Sequence, residues 1–310
     1  MTTKKELVLV TGGAGFIGSH LVEALLASGY RVRVLDNLSQ GRRDWVPAEA
    51  EFVHGDITNL TDCAEACAGV SGVFHLAAMS RVAPSLDDIA GCTLPNVIGT
   101  QNILTAARNA GAKRLVYTGS STYYGNSAPP HMEDMPPQFL NFYSLSKYVG
   151  EQYCSLFDCT YGLSTAIVRY FNVYGPRQPQ TGAYALVLGI FLRRFCLGLP
   201  LVIHGQGTQR RDFVHVRDAA AATIRVFESG ARAEVFNVGS GTNVSIKEIA
   251  DMISSDQQYA PRRAGDAEVT LADISRIRTK LGWEPRVPFE EGLRELVQLT
   301  RAEAAASVVK

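Results

Sequence analysis

The sequence predicts an α/β fold, a doubly wound parallel sheet wrapped by helices and followed by a smaller C-terminal α/β region. Short β-rich runs alternate with helical runs through the first half of the chain. A glycine-rich turn joins the first strand directly to the first helix. The 310 residues, 46% hydrophobic and 19% charged, suffice to bury the large core such a sheet needs, which excludes disordered and fibrous classes.

Leu7–Thr11 is the first strand. The lysines before it resemble the start of a leader peptide, but the apolar run stops at Thr11-Gly12-Gly13 and no small-residue cleavage site follows. A helix at Ser19–Ser28 and a strand at Arg31–Asp36 come next, then strands at Glu51–His54, Gly72–Leu76 and Arg114–Thr118. A helix at Val97–Ala110 carries the stripe Val97, Ile98, Gln101, Leu104 and Thr105, with Gly111 as its stop. Another helix runs from Tyr143 to Tyr161 and ends before Gly162. The strand Ser164–Arg169 enters a Gly175-Pro176 break, which puts the passage between two partly interleaved domains at 1–172 and 173–310. Beyond it the pattern gives helices near Ala185–Leu197, Asp218–Glu228, Ile246–Ser254 and Asp273–Leu281, a strand at Leu201–His204, and an Ala-rich tail.

Thirty Lys+Arg balance thirty Asp+Glu and the pI is near 7.0, so no global field draws in nucleic acid or an anionic membrane. No apolar stretch approaches the roughly 18–20 residues that span a bilayer, so a soluble, cytoplasmic protein is expected. Six cysteines without a Cys-x-x-Cys fit a reducing compartment. Cys63 and Cys67, four apart, fit a reduced, partly buried pair on one helix face better than a metal pair, and no metal is expected.

In Val8-Leu9-Val10-Thr11-Gly12-Gly13-Ala14-Gly15-Phe16-Ile17-Gly18, three glycines at 12, 15 and 18 lie directly after a strand and before a helix. Glycine permits the tight turn and lets backbone N–H groups approach a pyrophosphate at the positive end of the helix. Asp36, closing the second strand, can accept from both adenosine ribose hydroxyls and would repel a 2′-phosphate, so NAD is expected rather than NADP. Arg42 and Arg43 nearby pull the other way. Asp56 fits either the adenine edge or an ordinary strand-end carboxylate.

Tyr143 and Lys147 are four apart on a predicted helix and share a face. They follow by about twenty residues the strand end Val116-Tyr117-Thr118-Gly119-Ser120-Ser121-Thr122, which delivers hydroxyls to the sheet edge where open α/β sheets bind ligands. A phenol of pKa near 10 is a poor base until a neighbouring ammonium and a cationic nicotinamide ring favour its phenolate.

With these residues stand His75-Leu76-Ala77-Ala78, Tyr143-Ser144-Leu145-Ser146-Lys147, Arg169-Tyr170-Phe171-Asn172-Val173-Tyr174-Gly175-Pro176-Arg177-Gln178 and Arg211-Asp212-Phe213-Val214-His215-Val216-Arg217-Asp218. Together they resemble the extended short-chain dehydrogenase/reductases, specifically the nucleotide-sugar epimerase/dehydratase family, over essentially the whole chain. The resemblance implies a Rossmann-type NAD-binding domain, a C-terminal nucleotide-sugar domain and a homodimer paired through the helices near Val97–Ala110 and Tyr143–Tyr161. It implies cofactor contacts from Gly12, Gly15, Phe16, Ile17, Gly18, Asp36, Asn37, Asp56, Ile57, Leu76, Ala77, Ala78, Asn96, Ser120, Tyr143, Lys147, Tyr170 and Val173. Thr122, Tyr143 and Lys147 take the catalytic positions, with the Tyr123 hydroxyl beside them. Met79, Ser80, Thr122, Asn172, Arg211 and Arg263 take positions that meet a substrate, expected to be UDP-linked.

Where family 4,6-dehydratases carry an Asp-Glu pair, this chain has Ser121 and Thr122, which disfavours the usual 4,6-elimination. Tyr123, Met79, Phe142 and Leu186 replace smaller or different residues expected near the hexose. Crowding would hinder the turning over of a 4-keto sugar that epimerisation needs. Sequence alone therefore points to a dehydratase that oxidises C4, loses water across C5 and C6 and returns hydride to C4, like an antibiotic-biosynthesis branch of the family acting on UDP-N-acetylglucosamine. A 4-epimerase using the same Thr/Tyr/Lys set is the alternative. A reductase with net turnover and a catalytically silent relative are the readings from other classes.

Overall fold

The computed structural model describes residues 6–181, 186–262 and 268–308. The first part of the chain runs β1 (Leu7–Thr11), α1 (Phe16–Ala27), β2 (Arg31–Asp36), β3 (Glu51–His54), α2 (Leu60–Cys67), β4 (Gly72–His75), α3 (Val82–Asp87), α4 (Ile89–Thr93), a π-helical turn (Leu94–Gly99), α5 (Thr100–Asn109), β5 (Arg114–Ser120), a 3-10 turn (Ser121–Tyr124), α6 (Phe142–Tyr161) and β6 (Ser164–Tyr170). Then come β7 (Val173–Tyr174), α7 (Val187–Cys196), β8 (Leu201–His204), β9 (Arg210–Arg211), β10 (Val214–His215), α8 (Val216–Glu228), β11 (Glu234–Val238), β12 (Val244–Ser245), α9 (Ile246–Ile253), β13 (Gln257–Ala260), α10 (Ser275–Leu281) and α11 (Phe289–Val308).

Seven parallel strands form the main sheet in the order β11-β6-β5-β4-β1-β2-β3. Strand alternation divides the core between its two faces. Val8 and Val10 of β1 pack with Leu21, Val22 and Leu25 of α1 and with the apolar side of α8. Leu9 points the other way, to Cys63 and Cys67 of α2, Ile103 and Leu104 of α5, and Cys154 of α6. Both α2 cysteines are fully buried, and burial pushes their thiols up to about 12. A third cluster, with Leu188, Phe191, Ile203, Phe213 and Ile249, holds the C-terminal lobe together.

The chain reverses direction of travel across the sheet between β1, which pairs with β2 on one side, and β4 on the other. Their C-terminal ends therefore open a crevice, the usual ligand position of such sheets.

The helix near residue 100 differs from expectation. Its buried residues are Thr100, Ile103, Leu104, Ala106 and Ala107, while Ile98 is 40% exposed and Gln101 faces solvent. The wide π turn at Leu94–Gly99 precedes α5, and its i→i+5 geometry rotates the following face away from a 3.6-residue stripe counted from Val97. β11 was not expected as a strand, yet it pairs with β6 over Glu234↔Ala166 to Val238↔Tyr170 and contributes a C-terminal segment to the main sheet. No helix among the described residues is long and apolar enough to cross a membrane.

Candidate active site

At the crevice, Gly12 has φ +71°, and a Cβ there would lie 2.8 Å from Ala77 N, so only glycine lets the β1 turn pass the β4 loop. Gly18 sits where a Cβ would lie 2.0 Å from the Gly12 carbonyl oxygen, so the helix packs directly on the turn. Gly15 is the N-cap of α1 in extended geometry, no side chain caps the helix and no acidic residue occupies its first turn. This uncapped N-terminus is a ready anion site, and Phe16, Ile17 and Gly18 bring their N–H groups to it.

Asp36 closes β2 as expected. Its Oδ2 accepts from Ala14 N at 3.0 Å and its Oδ1 from Leu38 N at 2.8 Å, which aims the carboxylate at the crevice rim with lone pairs to spare. Burial pushes its carboxyl up, and those two N–H groups pull it back. The neighbouring arginines are engaged elsewhere. Arg42 is forked onto Asp44, and Arg43 lies 4.6 Å over the Phe52 ring while donating to Val46 O. Asp56 serves its own loop, accepting from Thr58 N and Oγ1 at 2.8 Å each and from Asn37 Nδ2 at 2.8 Å. Ile57 is buried behind it.

His75 ends β4 fully buried. Thr100 gives its hydroxyl proton to Asn96 O at 2.7 Å, so it accepts from His75 Nε2 at 3.0 Å, which leaves Nδ1 to accept from Thr11 Oγ1 at 2.7 Å. Thr11 Oγ1 in turn takes the N–H groups of Leu76 and Ala77 and so fixes the β4 loop. Burial lowers the His75 pKa to about 3, so the ring acts here as a neutral strut.

The catalytic candidates come together. Ser120 Oγ lies 2.9 Å from Thr122 Oγ1, and the Ser120 hydroxyl also favours the phenolate of Tyr143, so the three hydroxyls gather at one place. The Lys147 amine, one turn on in α6, lies 4.2 Å over the Tyr117 ring centroid, and Tyr117 Oη donates to Lys147 O at 3.0 Å. Burial pulls the Lys147 ammonium down to about 7, against the opposing pull of Cys154, Cys92 and Glu151. Burial likewise raises the Tyr143 phenol, while the Ser120 hydroxyl and the Arg81 guanidinium favour its phenolate.

Two expectations are corrected. Tyr123 is only 1% exposed: the 3-10 turn sends it inward, edge-on to Tyr148, with the Arg169 guanidinium 5.2 Å over its ring. Its hydroxyl is buried without a partner and does not join those three hydroxyls. Asn96 is fully buried, accepting from Met79 N and donating to Met79 O and Ser146 Oγ; it clamps the β4 loop to α6 and faces no groove. Phe142, 41% exposed, opens α6 next to Tyr143, and Leu186 is the N-cap of α7.

Met79 and Ser80 stay at the crevice mouth, half-buried and exposed, after Ala77 and Ala78. Tyr170 turns its hydroxyl into the core toward Thr223 Oγ1, and Val173 is buried beside it. On the C-terminal side, Asn172 Nδ2 donates to Asp212 O at 2.8 Å and Thr270 Oγ1 at 3.3 Å. Asp212 is fully buried and gathers the N–H groups of Ser240, Gly241 and Ala272. Beside it Arg211, with Phe213, Ser240, Asn243, Val244 and Phe289, lines a cleft of about 410 Å³. Arg263 lies outside the described residues.

A model of the NAD-dependent epimerase/dehydratase family matches residues 8–239. The chain belongs to that family. It is 37% identical to the UDP-glucose 4-epimerase of Mycolicibacterium smegmatis, over 94% of this chain and 98% of that protein. The UDP-glucose 4-epimerase of Thermotoga maritima, solved with UDP-glucose, superposes with a TM-score of 0.92 at 34% identity, covering 96% of this chain and 99% of that one. The dTDP-glucose 4,6-dehydratase of Streptomyces venezuelae, solved with NAD, gives 0.90 at 31% identity, over 97% and 98%. The enzyme is accordingly an NAD-dependent member of the nucleotide-sugar epimerases and dehydratases, and the glycine turn, uncapped α1 and Asp36 suit a dinucleotide.

The sequence did not single out Arg81, the N-cap of α3 brought beside Tyr143, whose N–H in turn bonds Ser85 Oγ at 3.2 Å. It also missed the buried Glu151–Arg169 pair at 2.6 Å, one helical turn beyond Lys147. Glu151 continues the four-residue spacing of Tyr143 and Lys147, which is the one signal that could have found it.

Proposed function

We propose that the enzyme is a 4-epimerase of UDP-hexoses or UDP-N-acetylhexosamines. The observation that carries this is the gathering of the Ser120 and Thr122 hydroxyls, 2.9 Å apart, with the Tyr143 phenol, which the Ser120 hydroxyl and the Arg81 guanidinium bias toward its phenolate. Such a set moves a proton on and off one sugar hydroxyl. Loss of water across C5 and C6 asks for an additional acid, and the inward turn of Tyr123 keeps its hydroxyl from filling that role.

NAD, when bound, supplies the reversible hydride acceptor at C4. Thr122 accepts or donates at the 4-hydroxyl and orients it, Tyr143 takes its proton, and Ser120 positions Thr122 through its 2.9 Å contact while favouring the Tyr143 phenolate. Lys147, one turn on in α6, would hold the cofactor's ribose, its ammonium drawn down to about 7 by burial. Gly12, Gly15 and the first turn of α1 would hold the pyrophosphate, Asp36 the adenosine ribose, and Arg211 the sugar's diphosphate, since guanidinium forks suit phosphate oxygens, while Asn172 braces the Asp212 loop.

The C5,C6-dehydratase keeps two supports, Met79 at the crevice mouth and Phe142 next to Tyr143. One experiment separates the readings. Incubated in heavy water with UDP-glucose and UDP-N-acetylglucosamine, a 4-epimerase gives products of unchanged mass, inverted C4 couplings and no carbon-bound deuterium. A product lighter by one water with an alkene would overturn the epimerase.

The exposed Leu94 and Ile98 of the π turn and Leu145 and Leu156 of α6 form the apolar surface through which we infer the enzyme dimerises.

A further inference from the structure

The segment after β7 leaves the C-terminal lobe and returns to the cofactor helix. Pro176 O is hydrogen-bonded to His20 Nε2 at 3.0 Å. Arg177 Nη1 donates to Ser19 Oγ at 3.0 Å and Nη2 to Glu23 Oε1 at 2.5 Å. Ser19, His20 and Glu23 all belong to α1, within two turns of the N-terminus that faces the crevice. The other end of the strap is fixed just as firmly. β7 pairs with β10, Tyr174 is buried in the C-terminal core, and a Cβ on Gly175 would lie 2.7 Å from Val216 Cγ1. Gln178 N closes the turn on Gly175 O at 3.2 Å.

Arg177 holds this position at φ +67°, a left-handed conformation disfavoured for any residue with a Cβ. Glycine would satisfy the backbone with less strain. What glycine lacks is the guanidinium that grips Ser19 and Glu23, so the strained backbone delivers a side chain across the boundary between lobes.

We propose that Arg177 is a positioning residue for the cofactor, clamping α1 to the C-terminal lobe so that NAD leaves only when this strap releases. The proposal rests on the placement of the dinucleotide at the α1 N-terminus. Leu21, Val22 and Leu25 fix the body of α1 in the core, and the strap's grip on Ser19 and Glu23 restrains its first turns, where the pyrophosphate would sit. A reaction that returns its hydride to the same sugar needs no cofactor exchange between turnovers, so a slow exit costs it nothing.

The test uses full-length protein loaded with labelled NAD and chased with excess unlabelled NAD, together with melting of the NAD-stripped form. Arg177→Gly is expected to release NAD about tenfold faster, the equivalent of one charge-assisted hydrogen bond. Its stripped form should melt close to wild type, because glycine relieves the left-handed strain. Arg177→Lys should recover part of the retention. Glu23→Gln, a change at the half-exposed end of the grip, should also speed release and covers the case in which the glycine variant folds poorly. Unchanged release in both variants overturns the strap, and so does a faster release matched by an equal loss of stripped-form stability. Wild-type protein that binds no NAD would instead overturn the cofactor placement itself.

Discussion

Lys147 keeps its proton poorly. Its folded value of about 7 lies far below the roughly 10.4 of a free lysine. Below about pH 7 both folded and unfolded chains bind the proton, and the folded protein bears the whole cost of a buried ammonium. Between there and about 10.4 the unfolded chain binds a proton the folded one does not, so stability rises with pH. Lys147→Met should therefore raise the melting temperature of NAD-free enzyme, most strongly at and below about pH 7, with the gain shrinking as pH climbs; a pH series of melts reads this directly. The same variant should weaken NAD binding. Tyr143→Phe tests the other half of the pair. It removes the proton acceptor and little shape, so turnover should fall by about 10²–10⁴-fold while NAD titration stays near wild type.

At the scale of elements, the close approach of α1 to its own turn is decided by one missing methyl group. Gly18→Ala places a carbon against the Gly12 carbonyl with no flexible side chain to yield, so a loss of about 1–3 kcal/mol in urea unfolding and a larger loss of NAD affinity are expected. This turn was legible because glycine spacing, strand and helix all pointed the same way. β1, β2 and β3 run over the residues their patterns predicted, and Thr122 lies 2.9 Å from Ser120 at the end of β5. What escaped had physical reasons. The π turn changed the helical period between Leu94 and Gly99, which no 3.6-residue count can anticipate. β11 reads Glu234-Val235-Phe236-Asn237-Val238, and Asn237 interrupts the apolar run because its side chain serves Tyr124 Oη and His131 O inside the fold. Tyr123 resembled a pocket residue only because a sequence does not show which way a short 3-10 turn faces.

For the whole molecule, the apolar surface on the π turn and α6 predicts an assembly state. Leu156, 58% exposed, lies on α6 more than three turns beyond Tyr143 and touches none of the catalytic candidates. Leu156→Glu should convert a dimer to a monomer in sedimentation while NAD binding persists; a wild-type monomer at micromolar concentration would refute the assembly. The placement of β11 bears on how the chain comes to be folded at all. During synthesis β1 to β6 emerge first, and β6 then presents an open row of N–H and C=O groups until Glu234–Val238 arrives to pair with it. A nascent or proteolysed chain that stops before Glu234 carries a sticky, buried-type strand at its border. Such fragments should aggregate rather than persist as a free-standing cofactor-binding half.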